Sequence, residues 1–172
     1  MVSALMAALR RLDDLIAIVE SVLITILCAC LAVMLFTNVL LRYVFRSPFA
    51  WIEEIVVAAF VWMIFLGVSA CVRSHQHLRI DIVPRYAGPR LKLELGVVSV
   101  GLLMAILVAV AYFGYQYAAF VAGNRTPILG ISAAWLYVGL PLGMAFAAVH
   151  VIRQTIDEGP AVVLQSVLEQ ED

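Results

Sequence analysis

Residues Leu15–Leu41 read LIAIVESVLITILCACLAVMLFTNVLL, a run interrupted by one ionisable residue, Glu20. A helix crossing the hydrocarbon core needs ~20 mostly apolar residues, and this run exceeds that. Three more runs follow, Ile52–Val72, Leu95–Val121 and Ile131–Ile152. Lipid offers no partner to an unpaired backbone group, so a spanning segment is either a helix or a strand of a closed barrel. Barrel strands read as ~10-residue alternating segments, and these runs do not alternate. The sequence therefore predicts an all-α integral membrane protein with four transmembrane helices, over about 15–41, 52–72, 95–121 and 131–152. They make up one domain over 1–155, and a polar tail occupies 156–172.

Composition agrees. The chain is 65% hydrophobic and 13% charged, against ~45–50% and ~25% in a soluble domain, so it lacks the polar surface to cover itself in water. The first run is too long for the ~7–15-residue core of a signal peptide. Asp13, Asp14 and Glu20 also stand where a signal peptide would be basic or apolar; an uncleaved helix is expected. Cys28, Cys30 and Cys71 fall inside apolar runs with no redox or zinc spacing and are expected to be small buried residues.

The eleven Lys and Arg residues set the expected orientation. Eight (Arg10, Arg11, Arg73, Arg79, Arg85, Arg90, Lys92 and Arg153) fall on one side, and Arg42, Arg46 and Arg125 on the other. The richer side is the cytoplasmic one, so both termini are expected inside. Tyr43, Phe45, Phe49, Trp51, Tyr117, Phe120, Trp135 and Tyr137 would then form an outer interfacial belt. The inner loop 74–94 mixes Leu78, Ile80, Ile82 and Val83 with arginines, as an interfacial segment would. Pro84 and Pro89 forbid one continuous helix through it. The outer link 42–51 and a short amphipathic segment at 161–168 are read as interfacial or surface pieces too.

Small residues are spaced for close helix packing. Gly101, Ala105 and Ala109, then Gly114, Ala118 and Ala122, lie in the third run, and Gly139, Gly143 and Ala147 in the fourth. These stripes predict that the third and fourth helices pack on each other or on a partner. Pro141 removes a backbone donor and frees the carbonyl of Tyr137, which predicts a kink. Asn38, Thr25, Trp62, Ser69 and Ser99 are expected to make ordinary contacts between helices.

An ionisable group at membrane depth is a candidate functional residue. Glu20 lies little more than a turn inside its run and is expected to snorkel or pair with a partner. Glu53 and Glu54 open the second helix, where carboxylates meet unpaired N–H groups and the positive end of the dipole. With Trp51, Arg42 and Arg46 nearby, they could equally form an ion-paired latch or a docking surface. His75 and His77 sit in a basic loop, and His77 and Asp81 are four apart, close enough to bond within one helical turn. His150 is the one histidine inside a run. No nucleophile–base pair, phosphate loop or nucleic-acid surface is legible, so neither enzymatic activity nor nucleic-acid binding is expected.

Several stretches resemble the small membrane subunit of TRAP (tripartite ATP-independent periplasmic) transporters. They are Arg42–Tyr43–Val44–Phe45, Trp51–Ile52–Glu53–Glu54, Gly67, Arg73 and His77–Leu78–Arg79–Ile80–Asp81. Thr126–Pro127–Ile128–Leu129–Gly130, Trp135, Tyr137 and Pro141–Leu142–Gly143 extend the resemblance, which runs from about Asn38 to His150. Where that family often has a proline soon after the glycine, this chain has Ser132.

The resemblance implies a scaffold subunit of the bacterial inner membrane. Its implied partners are a large membrane subunit, a periplasmic substrate-binding protein and membrane lipid. It implies sodium-driven import of an organic acid such as a dicarboxylate or sialic acid, with substrate and sodium bound by the large subunit and no cofactor in this one. The candidates for docking or structure are Arg42, Trp51, Glu53, Glu54, Gly67, Arg73, His77, Asp81, Pro141 and Gly143 from the resembling stretches, with Gly139 from the small-residue stripe. Two alternatives stand beside it. One is a self-sufficient four-helix exporter of the small multidrug type with Glu20 as proton carrier; the other is a haem-bearing anchor of a respiratory enzyme. The absence of inverted repeats and of a polar path argues for an accessory rather than a conduit.

Overall fold

A computed structural model describes residues 2–47, 49–74 and 89–159. The described residues are helical throughout their long elements: α1 (Val2–Tyr43), α2 (Ala50–Arg73), α3 (Pro89–Phe120), a 3-10 turn (Val121–Gly123), α4 (Ala134–Tyr137) and α5 (Gly139–Glu158). Four segments are long and apolar enough to cross a membrane. His75, His77, Asp81 and the segment 161–168 lie outside the described residues.

Two expected boundaries shift for local reasons. Helix α1 starts well before Leu15 because the preceding residues are rich in Ala, Leu and Arg, all strong helix formers. Its 42 residues would extend ~63 Å at 1.5 Å per residue, about twice the hydrocarbon thickness. Helix α3 starts at Pro89, a residue that suits the first helical turn because its missing N–H has no partner there anyway.

The fourth run does not begin as a helix at Ile131. Residues 124–133 form a tight loop: the Thr126 N–H donates to the Ile131 carbonyl at 2.8 Å, and the Ala133 N–H to that of Asn124 at 2.8 Å. Gly130 sits at φ 65°, a conformation that costs glycine little and other residues more. Ser132 accepts the Ala134 N–H on its hydroxyl at 3.3 Å and donates to the Ala122 carbonyl at 2.8 Å, so it tethers the start of α4. The helical ladder lapses at Val138 between α4 and α5, where Pro141 has no N–H to offer Tyr137, while Val138 itself keeps helical angles of φ −61° and ψ −26°.

Helix α5 packs along both α2 and α3, while α1 lies against α2 and touches α5 much less. The core cluster of Val72, Leu107, Met144, Ala147 and Val151 accordingly comes from α2, α3 and α5. The small-residue stripes divide differently from expectation. A Cβ on Gly143 would lie 2.6 Å from the Phe65 carbonyl oxygen, and one on Gly139 3.2 Å from the Trp62 ring. That stripe therefore brings α5 onto α2. Gly114 faces Leu140 and Pro141, and it is this lower stripe of α3 that meets α5. Gly101, Ala105 and Ala109 are exposed.

All three cysteines are exposed on the helix surfaces, not buried. In lipid an apolar thiol needs no interior position, which removes the reason for the expectation.

Candidate functional site

The antiparallel helices collect polar groups at two ends. The distal end holds the α1–α2 link and the 124–133 loop. The proximal end holds the start of α1 and the finish of α5, joined by Arg10 Nη2 to Asp157 Oδ1 at 2.8 Å.

At the distal end Arg42 and Glu53 form an exposed ion pair between α1 and α2. Glu54, one residue on, turns to the loop. Its two carboxylate oxygens accept the N–H groups of Ile128 at 2.8 Å and Leu129 at 2.9 Å, and so fix Thr126–Gly130 on the opening turn of α2. Arg125 donates to the Gly130 carbonyl at 2.8 Å and closes the loop. Trp51 is exposed and stacks on Phe49 at 6.0 Å. Deeper, the Trp62 indole donates to the Trp135 carbonyl at 2.9 Å, with the two rings 5.6 Å apart. The other aromatics of the expected belt, Tyr43, Phe45, Phe49, Tyr117 and Phe120, are exposed at this end, and Tyr137 packs edge-on to Tyr117 at 4.8 Å.

The proximal end holds the buried charge. His150 is fully buried between Asp13, with Nδ1 2.6 Å from Oδ1, and Glu20, with Nε2 3.2 Å from Oε2. Asp13 is fully buried and Glu20 is 1% exposed. Arg73 joins Asp13 at 3.2 Å and Asp14 at 2.6 Å. Arg153 lies 3.8 Å from Asp13 and 3.1 Å from Asp157. Gln154 donates to the carbonyls of Val72 at 3.2 Å and Arg73 at 2.9 Å, which satisfies orphan acceptors at the end of α2. Beside the cluster a cavity of about 510 Å³ is lined by Glu20, Ser21, Thr25, Arg73, Ser74 and Arg153.

The residues singled out in the sequence thus separate. Arg42, Glu53, Glu54 and Trp51 gather at the distal end, and Arg73 belongs to the proximal cluster. Gly139, Pro141 and Gly143 serve packing. At Gly67 an added Cβ would meet nothing within 4 Å, so no close approach requires glycine there. Among the expected contacts between helices, Trp62 makes one, whereas Thr25 bonds the Ser21 carbonyl of its own helix. Ser69 Oγ and Asn38 Oδ1 are buried without a protein partner.

The proximal cluster was not assembled from the sequence. Its signal was there: Asp13 and Glu20 are seven apart, and His150, Arg153, Gln154 and Asp157 follow three–four spacing, so each set shares one helix face. No nucleophile stands in the cluster. Among the described residues no group of His, Cys, Asp or Glu is arranged to hold a metal.

Fold and geometry define a multi-pass helical membrane protein with polar groups at its two ends. A profile of the family described as "Tripartite ATP-independent periplasmic transporters, DctQ component" matches residues 31–158. The chain belongs to that family, a transport component and not an enzyme.

Two similar proteins are from Vibrio cholerae. The "Sialic acid TRAP transporter small permease protein SiaQ" is 29% identical over 142 residues, 80% of this chain and 80% of the relative. The "C4-dicarboxylate TRAP transporter small permease protein DctQ" is 28% identical over 99 residues, 58% of this chain but only 43% of the relative. A third similarity covers 63% of this chain and 18% of the "Sialic acid TRAP transporter permease protein SiaT" of Haemophilus influenzae, at 27% identity.

Proposed function

We propose that this chain is the scaffold subunit of a sodium-driven importer of an organic acid, of the dicarboxylate or sialic acid class. It works beside a large membrane subunit, which binds substrate and sodium, and a periplasmic binding protein. In this reading the chain sits in the bacterial inner membrane with the proximal end, and both termini, in the cytoplasm. The distal surface of Arg42, Trp51, Glu53 and Glu54 faces the periplasm and helps to dock the binding protein.

One observation carries the proposal. Among the described residues, the buried polar side chains Asp13, Glu20, Ser69, His150 and Gln154 lie toward the proximal end, and the buried oxygens of Asn38 and Thr126 toward the distal one, so these groups gather at the two ends and do not line a hydrophilic route between them. A conduit needs such a route, with polar groups near the midplane. The apolar flanks of α1 and α3 instead offer lateral surface, with Val33, Phe36, Val98 and Phe113 all exposed.

The test is reconstitution. Proteoliposomes carrying this chain alone should show no sodium-dependent uptake of labelled dicarboxylate or sialic acid. Those carrying it with the large subunit should accumulate substrate when the binding protein is supplied. Uptake by the chain alone would refute the scaffold role. The small multidrug alternative predicts such independent activity and its loss in Glu20→Gln.

A further inference from the structure

His150 presents both ring nitrogens to carboxylates, to Asp13 at 2.6 Å and to Glu20 at 3.2 Å. An ionised carboxylate only accepts, and a neutral imidazole has one N–H and one lone pair. With both acids ionised and the ring neutral, one of these contacts would set lone pair against lone pair at a buried site. The arrangement closes only if the three groups hold one more proton.

We propose that Asp13, His150 and Glu20 form a proton-binding site, occupied at neutral pH with His150 as the imidazolium, that fastens the proximal end of α1 to α5. The surrounding charges place the proton on the ring. Helix α1 brings Arg10, Asp13, Asp14 and Glu20, α2 brings Arg73, and α5 brings Arg153 and Asp157. Arg10 and Asp14 are largely exposed; of the rest, three carboxylates (Asp13, Glu20 and Asp157) face two guanidinium groups (Arg73 and Arg153), and an imidazolium balances that less hydrated set. Among the described residues no ion pair of the cluster reaches α3.

The two carboxylates lie on opposite sides of one ring, so they do not converge on a common metal position. Glu20 also supplies a way in for the proton. Its second oxygen, Oε1, is buried without a protein partner, and the residue lines the cavity of about 510 Å³ that runs between α1, α2 and α5. Because α1 rests mainly on α2, this ring is its fully buried polar attachment to α5, beside the more exposed Arg10–Asp157 pair. Loss of the proton turns one of the ring's two carboxylate contacts repulsive and loosens the proximal end of α1.

The experiment uses the full-length chain in lipid bilayers with nitrogen-15-labelled histidine. A His75→Gln, His77→Gln background leaves His150 as the sole histidine of the three. Magnetic resonance at neutral pH should find both ring nitrogens protonated. In Glu20→Gln, whose amide donates to Nε2, one ring nitrogen should be unprotonated at the same pH. A neutral ring in the unaltered cluster, or a spectrum that Glu20→Gln leaves unchanged, overturns the proposal. The fastening has its own readout. In His150→Phe, amide protection over residues 6–20 should fall by about tenfold while that of residues 55–66 holds; equal protection in both segments relative to the unaltered chain overturns it.

Discussion

Gly143 on α5 stands so close to Phe65 on α2 that a Cβ at this position would lie 2.6 Å from the Phe65 carbonyl oxygen and 2.9 Å from its carbon. The obstacle is backbone, which cannot rotate away as a side-chain tip could. Gly143→Ala must therefore push α5 off α2, an overpacking cost of ~1–3 kcal/mol. Thermal unfolding of the purified chain in mild detergent should show the loss. Gly101→Ala, where a Cβ would meet nothing within 4 Å, is the control and should unfold at or above the parent temperature.

Glu54 carries a second prediction. Its carboxylate is the acceptor for two consecutive N–H groups, those of Ile128 and Leu129. Glu54→Ala leaves both without that partner and unpins the 124–133 loop from α2. Trypsin cleaves after arginine, and Arg125 lies in this loop, held to Gly130. Cleavage at Arg125 should become several-fold faster in Glu54→Ala, since proteolysis follows the population of the open form. Unchanged cleavage would mean that the carboxylate does not hold the loop.

The exposed pair Arg42–Glu53 should behave in the opposite way. Side chains about half exposed form ion pairs that contribute ~0–1 kcal/mol, so Arg42→Ala should scarcely move the unfolding temperature. If the distal surface docks a binding protein, the same change should raise the binding-protein concentration needed for half-maximal uptake. Equal dependence in both variants would leave Arg42 outside the docking surface.

Arg73 joins two regimes. It is 32% exposed, yet it contacts the fully buried Asp13. Removing one member of a fully buried pair costs ~3–5 kcal/mol, and the exposure of Arg73 to solvent places Arg73→Gln below that range. It should still cost more than Arg42→Ala on the same unfolding measurement. A smaller effect would show that His150 and Arg153 compensate Asp13 without it.

These residues show how far the sequence could be read. The four spans were legible because lipid imposes one rule, internal satisfaction of the backbone, and that rule writes itself as long apolar runs. The role of Glu54 was half legible: its place at a helix start was plain, but its bond to a loop 74 residues away was not. The Asp13–His150 contact spans 137 residues and joins two helices whose adjacency no periodicity encodes. Each residue alone looked like a boundary charge. The glycine stripe at Gly139 and Gly143 announced close packing but could not name α2 as the partner, because a stripe specifies a distance of approach and not a neighbour. Pro141 fixed the break, because the carbonyl it leaves without a helical partner is that of Tyr137, directly before Val138.

Trp62 holds that break in place. Its indole N–H reaches the Trp135 carbonyl at 2.9 Å, and its ring also lies against Gly139 on the far side of Val138. One side chain of α2 therefore touches α4 and α5 at once. Trp62→Phe keeps an aromatic surface against Gly139 but removes the donor, a net loss of ~0.5–1.5 kcal/mol for a hydrogen bond. Trp62→Ala removes the surface too, and large-to-small changes of this kind cost ~3–5 kcal/mol. Chemical unfolding of the two variants should separate these contributions. Trp135, whose ring lies 5.6 Å from that of Trp62, supplies a local probe. With Trp51 replaced by Phe in every variant, Trp135 emission should shift to the red in Trp62→Ala and little in Trp62→Phe. If both variants unfold like the parent, the indole is not what joins the two halves of the broken helix.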